Sequence, residues 1–385
     1  MSKKTFMQLS AFALALGLTA CAQSPTLNST LPMKDGEFSI DGMIFGLAEA
    51  EVFREQYDSA PVIGDTMSAL PHLAPLEYTG NRVHEVRLDT FAQKVEVAPG
   101  VNFNAWTYGG SVPGPTLHVR EGDRVVFTMK NRSDEPVVVT DPLRGGAPYF
   151  QQLAANPYQK HQPAVSPMPH SMDFHSGTVA ADDKWRTIAP GETIRFEWVA
   201  NYPGVYMYHC GTPSVLMHTA MGQYGAVVVS PKGGYPTDHL VDHEYVIVQS
   251  EFYLEKVGDE YIYDHQAAMN RNPSHVTFNG HVSALIDEPL RAKAGDRVRL
   301  YFLNAGPSDT SSFHVIGGIF DRVWYEGNVE NEWRGMQTVL LGASNSAVME
   351  FIVPESGVYK LVDHEFADAE RGAAGALIAT PKDSN

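Results

Sequence analysis

An internal repeat limits most strongly what this chain can become. Glu121-Gly122-Asp123-Arg124-Val125 returns as Ala294-Gly295-Asp296-Arg297-Val298, and Pro203-Gly204-Val205-Tyr206 returns as Ser356-Gly357-Val358-Tyr359. Gly225-Ala226-Val227-Val228-Val229-Ser230-Pro231 returns as Gly375-Ala376-Leu377-Ile378-Ala379-Thr380-Pro381. Three matches in one order, at comparable separations, imply two copies of one folding unit. Each piece is a short β-branched or aromatic run bounded by Gly, Pro or Asp, which is the signature of strands and turns. Similar runs at 83–88, 94–97, 103–108, 116–119 and 124–130, with a turn-rich break at 109–115, extend the pattern. The expectation is an all-β chain of two tandem Greek-key β-sandwich domains at 79–232 and 233–385, joined at Lys232-Gly233-Gly234-Tyr235-Pro236. Charged residues at only 19%, with 33 Gly and 25 Pro, agree with that class. The Pro-, Gln-, Gly- and Ala-rich stretch 141–168 interrupts the first copy alone and is expected to be a surface excursion near the site.

The N-terminal region reads as a targeting segment. Lys3 and Lys4 precede an apolar run at 12–18, and Leu18-Thr19-Ala20-Cys21 has the form of a bacterial lipobox. Residues 1–21 are read as a lipoprotein signal segment with its lipobox, and Cys21 as the lipid-modified first residue of the mature protein, in preference to an ordinary secretory signal cleaved near Ala20. Residues 22–78 are a linker and N-terminal extension, polar at 24–36, with a short helix expected at 44–57 from Phe45, Leu47, Val52 and Phe53. No other apolar run is long enough to span a bilayer. The body is expected to be exported to the periplasm or cell surface and held by acyl chains alone, at the outer membrane. The formal net charge of −17 argues against a nucleic-acid partner and favours a small basic or neutral protein.

The only other cysteine, Cys210, stands beside His209 at the end of the alternating run Val205-Tyr206-Met207-Tyr208. Neighbouring side chains on a strand point to opposite faces, so the pair suits two metals rather than one. Cys210 is followed at a C-x7-H spacing by His218, expected on a loop, and preceded by His170. One thiolate and two imidazoles make the trigonal set of a blue-copper electron-transfer centre, completed by a weak axial ligand. His170 and His175 are an odd number of positions apart, so His170 goes with Cys210 and His175 with His209. The repeat offers a third imidazole for the second set, His364, at the end of the strand that corresponds to the one carrying His209. Three imidazoles with an open position describe a catalytic copper. A laccase-type cluster would need His-x-His pairs and a His-Cys-His strand, and the sequence has neither. It also lacks a Cys-x-x-Cys-His haem motif, so electrons must come from a separate protein.

The strings His170-Ser171-Met172-Asp173-Phe174-His175, His209-Cys210 with its connection to His218, Phe278-Asn279-Gly280-His281-Val282, Ser312-Phe313-His314-Val315-Ile316-Gly317-Gly318 and Val362-Asp363-His364 resemble the copper-containing nitrite reductases, above all their exported lipoprotein branch. The resemblance spans about residues 80–382. It implies two cupredoxin domains, a homotrimer, nitrite as substrate, and two coppers per subunit. A type 1 copper would accept electrons from a small cupredoxin or cytochrome c, and a type 2 copper would reduce nitrite to nitric oxide in denitrification. It further implies that His364 joins His175 and His209 of a neighbouring subunit. Asp173 and His314 match the residues that deliver protons, Ile316 the residue shaping the substrate pocket, and Thr338 a hydrogen-bond partner of His314. The family's axial methionine falls where this chain has Gln223, which is therefore the expected axial ligand, with Met221 as runner-up. The run 178–186 lacks the family's glycine-rich segment. Two other readings stand beside this one: a cell-surface cupredoxin carrier without nitrite turnover, and a reductase of another small acceptor such as oxygen.

Overall fold

The computed structural model describes residues 31–55, 66–137 and 159–382. Residues 1–30, with the signal segment and Cys21, and most of 141–168 lie outside the described residues.

The chain is built of strands with short helical turns, arranged as cupredoxin-like β-sandwiches. In the first half, Glu51–Phe53, Thr193–Val199, Arg124–Lys130 and Val83–Arg87 form one sheet. Asp173–Phe174, Gly204–His209, Tyr224–Ser230, Thr116–Arg120 and Met67–Ser68 form the other. Their facing sides enclose a core of Val125, Phe127, Phe174, Trp198, Tyr208, Val227 and Val229. The second half repeats the pairing scheme. Arg124–Lys130 runs parallel to Val83–Arg87, as Arg297–Gly306 runs parallel to His243–Phe252. Thr116–Arg120 runs parallel to Tyr224–Ser230, as Leu290–Lys293 runs parallel to Ala374–Thr380. The repeated Gly-Asp turn carries the same His–Asp contact twice, His84–Asp123 and His243–Asp296, each at 2.9 Å. The second core is centred on Ile247, Leu300, Phe302, Phe313, Met349 and Leu361.

Strands that are apolar on both faces reveal how the halves meet. Along Tyr224–Ser230, Val227 and Val229 enter the first core, while Ala226 and Val228 face a third cluster with Val205, Met207, Val246, Val248, Tyr301, Leu303, Trp324 and Val348. The two sandwiches therefore stack face to face, which is why these strands read as continuous apolar runs. Each such Val or Leu contributes about 1.5–3 kcal/mol on burial. A further sheet crosses the join: the hairpin Thr90–Ala98 and Val101–Tyr108 is flanked by Gln159–Pro163 and by Glu260–Tyr263 with Leu254–Val257.

The helix expected at 44–57 is absent from its described part. Met43–Phe45 pairs with Phe38–Ile40 as a hairpin, and Glu51–Phe53 adds to the edge of Thr193–Val199. Gly46, at φ +74°, breaks any helical run, and a Cβ there would meet the Gly36 carbonyl at 2.7 Å. The described end of the polar linker is tied down. Lys34 pairs with Glu197 at 2.6 Å, and Glu37 forms a bidentate pair with buried Arg124 at 2.7 and 2.8 Å.

Candidate metal centres

Gly204–His209 carries the centre of the site because it is flanked on both sides. It pairs antiparallel with Tyr224–Ser230, and with Asp173–Phe174 in a register that sets Asp173 opposite His209 and Phe174 opposite Tyr208. The pleat then sorts the side chains by parity. Met172, Phe174, Tyr208 and Cys210 point into the first core, and Asp173, His175 and His209 gather on the other face. Among the described residues, two groups of ligand-type side chains result: His170 with Cys210 and His218, and Asp173 with His175 and His209.

The first group is buried. His218 Nδ1 lies 3.3 Å from His170 Nδ1, 3.2 Å from Cys210 Sγ and 3.0 Å from Gln223 Oε1. Four atoms that can each offer a lone pair thus converge on one point, an arrangement that suits a cation. His218 lies in the short helix Val215–Ala220 rather than on an irregular loop. Gln223 is fully buried, and its amide nitrogen donates to Thr90 Oγ1 at 2.7 Å, which turns the amide oxygen inward. Met221 lies two residues earlier, in a different setting. Its carbonyl accepts from Trp106 N at 2.9 Å, and its side chain belongs to the cluster between the halves. Trp106 packs on both imidazoles, with ring centroids 5.4 Å from His170 and 4.9 Å from His218. The excursion at 141–168 rejoins the body beside this group: Ser166 accepts from the Trp106 indole at 3.1 Å, and the Met168 carbonyl accepts from Asn131 at 2.8 Å. Burial alone would raise the Cys210 thiol, but hydrogen bonds and charge from His170 and His218 outweigh it and hold the thiol well below its usual range. The Ser171 backbone N–H also donates to the sulfur at 3.3 Å. Burial lowers His170. A thiolate is the form in which a cysteine binds a metal.

The second group opens to the surface. His175 Nε2 and His209 Nε2 face each other at 2.9 Å, and Asp173 Oδ2 stands 3.9 Å from His209 Nε2. His209 Nδ1 donates to the Cys210 carbonyl at 2.9 Å, which leaves its Nε2 lone pair free to bind. His175 is lowered by burial and by the nearby His209, against the pull of Asp173. Its Nδ1 lies 2.9 Å from Ser344 Oγ, a partner from the second half that sequence reasoning missed because 169 positions separate the two residues.

His364 joins neither group within one chain. It ends Gly357–Asp363, exposed, with its ring centroid 5.4 Å from that of His314. His314 sits in Ser311–Val315, opposite Val362 on one side and Thr338 on the other. His314 Nδ1 donates to the Gln337 carbonyl at 2.5 Å, and Thr338 is its direct cross-strand neighbour. Ile316 follows directly and is 45% exposed.

Family profiles described as multicopper oxidase match residues 90–142 and 159–233. The chain is 37% identical to a copper-containing nitrite reductase of Neisseria meningitidis over 325 residues, covering 82% of this chain and 75% of the relative. It aligns with the solved copper nitrite reductase of Nitrosomonas europaea at a TM-score of 0.64 and 35% identity, over 77% of this chain and 94% of that one. A laccase from Botrytis aclada shares the fold at a TM-score of 0.56 but only 15% identity, over 84% of this chain and 58% of that one. With donor sets suited to copper and relatives that match across most of its length, the chain belongs to the copper-containing nitrite reductase family.

Proposed function

We propose that this protein reduces nitrite to nitric oxide: one nitrite, two protons and one electron become one nitric oxide and one water. The observation that best supports this is the His209–Cys210 peptide, which joins a buried thiolate set to an open imidazole set through a single residue step. His170, Cys210, His218 and Gln223 would hold a type 1 copper; His175 and His209, with His364 of a neighbouring copy, would hold a type 2 copper. Copper bound at these two sets would supply one-electron redox chemistry. The chain's own residues supply the rest. Asp173 stands on the open face beside His209, positioned to give a proton to a substrate oxygen. His314, with its Nδ1 proton committed to Gln337, keeps Nε2 for exchange with solvent or substrate. Ile316 presents apolar surface beside it and limits the size of what can bind.

A trimer completes this reading by bringing the His314 and His364 face of one copy to the His175 and His209 face of the next. Ile319, Trp333, Leu340 and Phe366, each more than half exposed, lend the second-half surface the apolar character of a face made to be covered. Lipid attachment at Cys21, placement in the periplasm or at the outer membrane, and a small cupredoxin or cytochrome c as donor complete the proposal. No helix among the described residues is long and apolar enough to cross a membrane.

A cell-surface carrier would need only the buried set. Nitric oxide formation from nitrite separates the two readings, and Asp173→Asn and His314→Ala test the proton groups. Each is expected to retain both coppers and to lose about 10²–10⁴-fold in nitrite turnover. Full activity in both variants would remove these residues from the chemistry.

A further inference from the structure

Ser344 is a serine in a place made for glycine. It lies in the turn between Thr338–Leu341 and Ser346–Ile352, at φ +67°, a left-handed conformation that residues with a Cβ rarely adopt. The surroundings enforce it. The Ser344 N–H donates to the Asn304 carbonyl at 2.7 Å, and the Asn304 N–H donates in turn to the Asn345 carbonyl at 2.9 Å. The Asn304 side chain adds bonds to the carbonyls of Asp309 at 2.8 Å and of Leu341 and Gly342 at 3.2 Å each. A strained residue held this firmly calls for a local reason. The reason at hand is its hydroxyl, 2.9 Å from His175 Nδ1.

The bond decides how His175 can act. An imidazole that offers Nε2 to a metal must carry its proton on Nδ1, and that proton needs an acceptor. His209 meets the requirement within its own strand, through the Cys210 carbonyl. His175 has no such local carbonyl and meets it across the join between the halves. Ser344 and Ala343 form one wall of a shallow, largely apolar depression whose other walls include Met207, His209, Ala305 and Pro307. The hydroxyl therefore reaches His175 at the point where the second sandwich packs against the ligand strand of the first.

We infer that Ser344 is a positioning residue for the second metal set: it fixes the tautomer and ring direction of His175, so that the packing of one sandwich on the other sets the affinity of the site. This rests on the function proposed above, through the assignment of His175 as a ligand. It predicts an unusual pair of effects, in which removing the residue relieves backbone strain yet weakens metal binding.

The test uses the full copper-loaded protein in wild-type, Ser344→Gly and Ser344→Ala forms. Chelator competition is followed by the paramagnetic resonance signal of type 2 copper, and the visible thiolate band serves as the internal control. Both variants are expected to keep the visible band and to lose about 10–100-fold in type 2 copper affinity, with altered type 2 resonance parameters. Ser344→Gly is expected to unfold no more readily than wild type, whereas Ser344→Ala keeps the strain. Wild-type affinity in both variants would overturn the inference, as would a loss confined to Ser344→Gly, which would implicate the backbone rather than the hydroxyl. A wild-type protein with a visible band but no type 2 signal would overturn the ligand assignment itself.

Discussion

At the scale of single residues, the proposed first metal set turns on Gln223. Its amide oxygen, 3.0 Å from His218 Nδ1, is a harder donor than a thioether and would favour the oxidised form of a copper held there. Gln223→Met is expected to raise the type 1 reduction potential by at least the ~59 mV that corresponds to a tenfold change in a one-electron equilibrium. An unchanged potential would mean that Gln223 does not touch copper. Thr90→Val, which removes the acceptor that orients the amide, should shift the potential in the wild-type background but not in Gln223→Met. Cys210→Ser should abolish the intense visible band, and a band that survives would rule out thiolate ligation. Most of the ligand-type residues were legible in the sequence because strand parity is a local property: His170 against His175, and His209 against Cys210, sort themselves by odd spacing alone. Thr90, Ser344 and the Gln337 carbonyl were not. Each reaches its histidine or glutamine through contacts between distant segments, which no spacing encodes.

At the scale of elements, local pattern and tertiary context compete. The runs at 83–88 and 124–130 became Val83–Arg87 and Arg124–Lys130 because their alternation matched a sandwich face. Residues 44–57 failed as a helix because Gly46 breaks the run and the free edge of Thr193–Val199 captures Glu51–Phe53. His243–Phe252 carries a feature visible only in the fold. Burial pushes the Glu251 carboxyl up to about 7, although the Tyr253 hydroxyl and the N–H groups of Asp309 and Ser308 donate to it. The native state then holds this proton more tightly than the unfolded chain does. The stability it contributes is full below the ordinary carboxyl range and is lost as pH rises through about 7. Asp368, pushed up to about 6 by burial and by Asp363, acts in the same direction. Glu251→Gln should therefore reduce the pH dependence of unfolding between about pH 5 and 7 by up to ~1.4 kcal/mol per pH unit. Parallel profiles for variant and wild type would contradict this.

At the scale of the whole molecule, the repeat predicted two sandwiches, and the fold repeats its pairing scheme from one half to the next. What the repeat could not convey is how the halves join. The shared sheet through Phe103 and Tyr261 and the core around Val228, Val248 and Trp324 arise from complementary surfaces, not from local signals. That join matters for chemistry, because it brings Ser344 to His175 and leaves His314 and His364 on an outer face. The central claim is that these parts together reduce nitrite. Its most direct test is to supply the copper-loaded protein with nitrite and an artificial reductant without oxygen, and to measure nitric oxide. The account predicts one nitric oxide for each electron consumed. A protein with both coppers bound and reduced that leaves nitrite unchanged would contradict it.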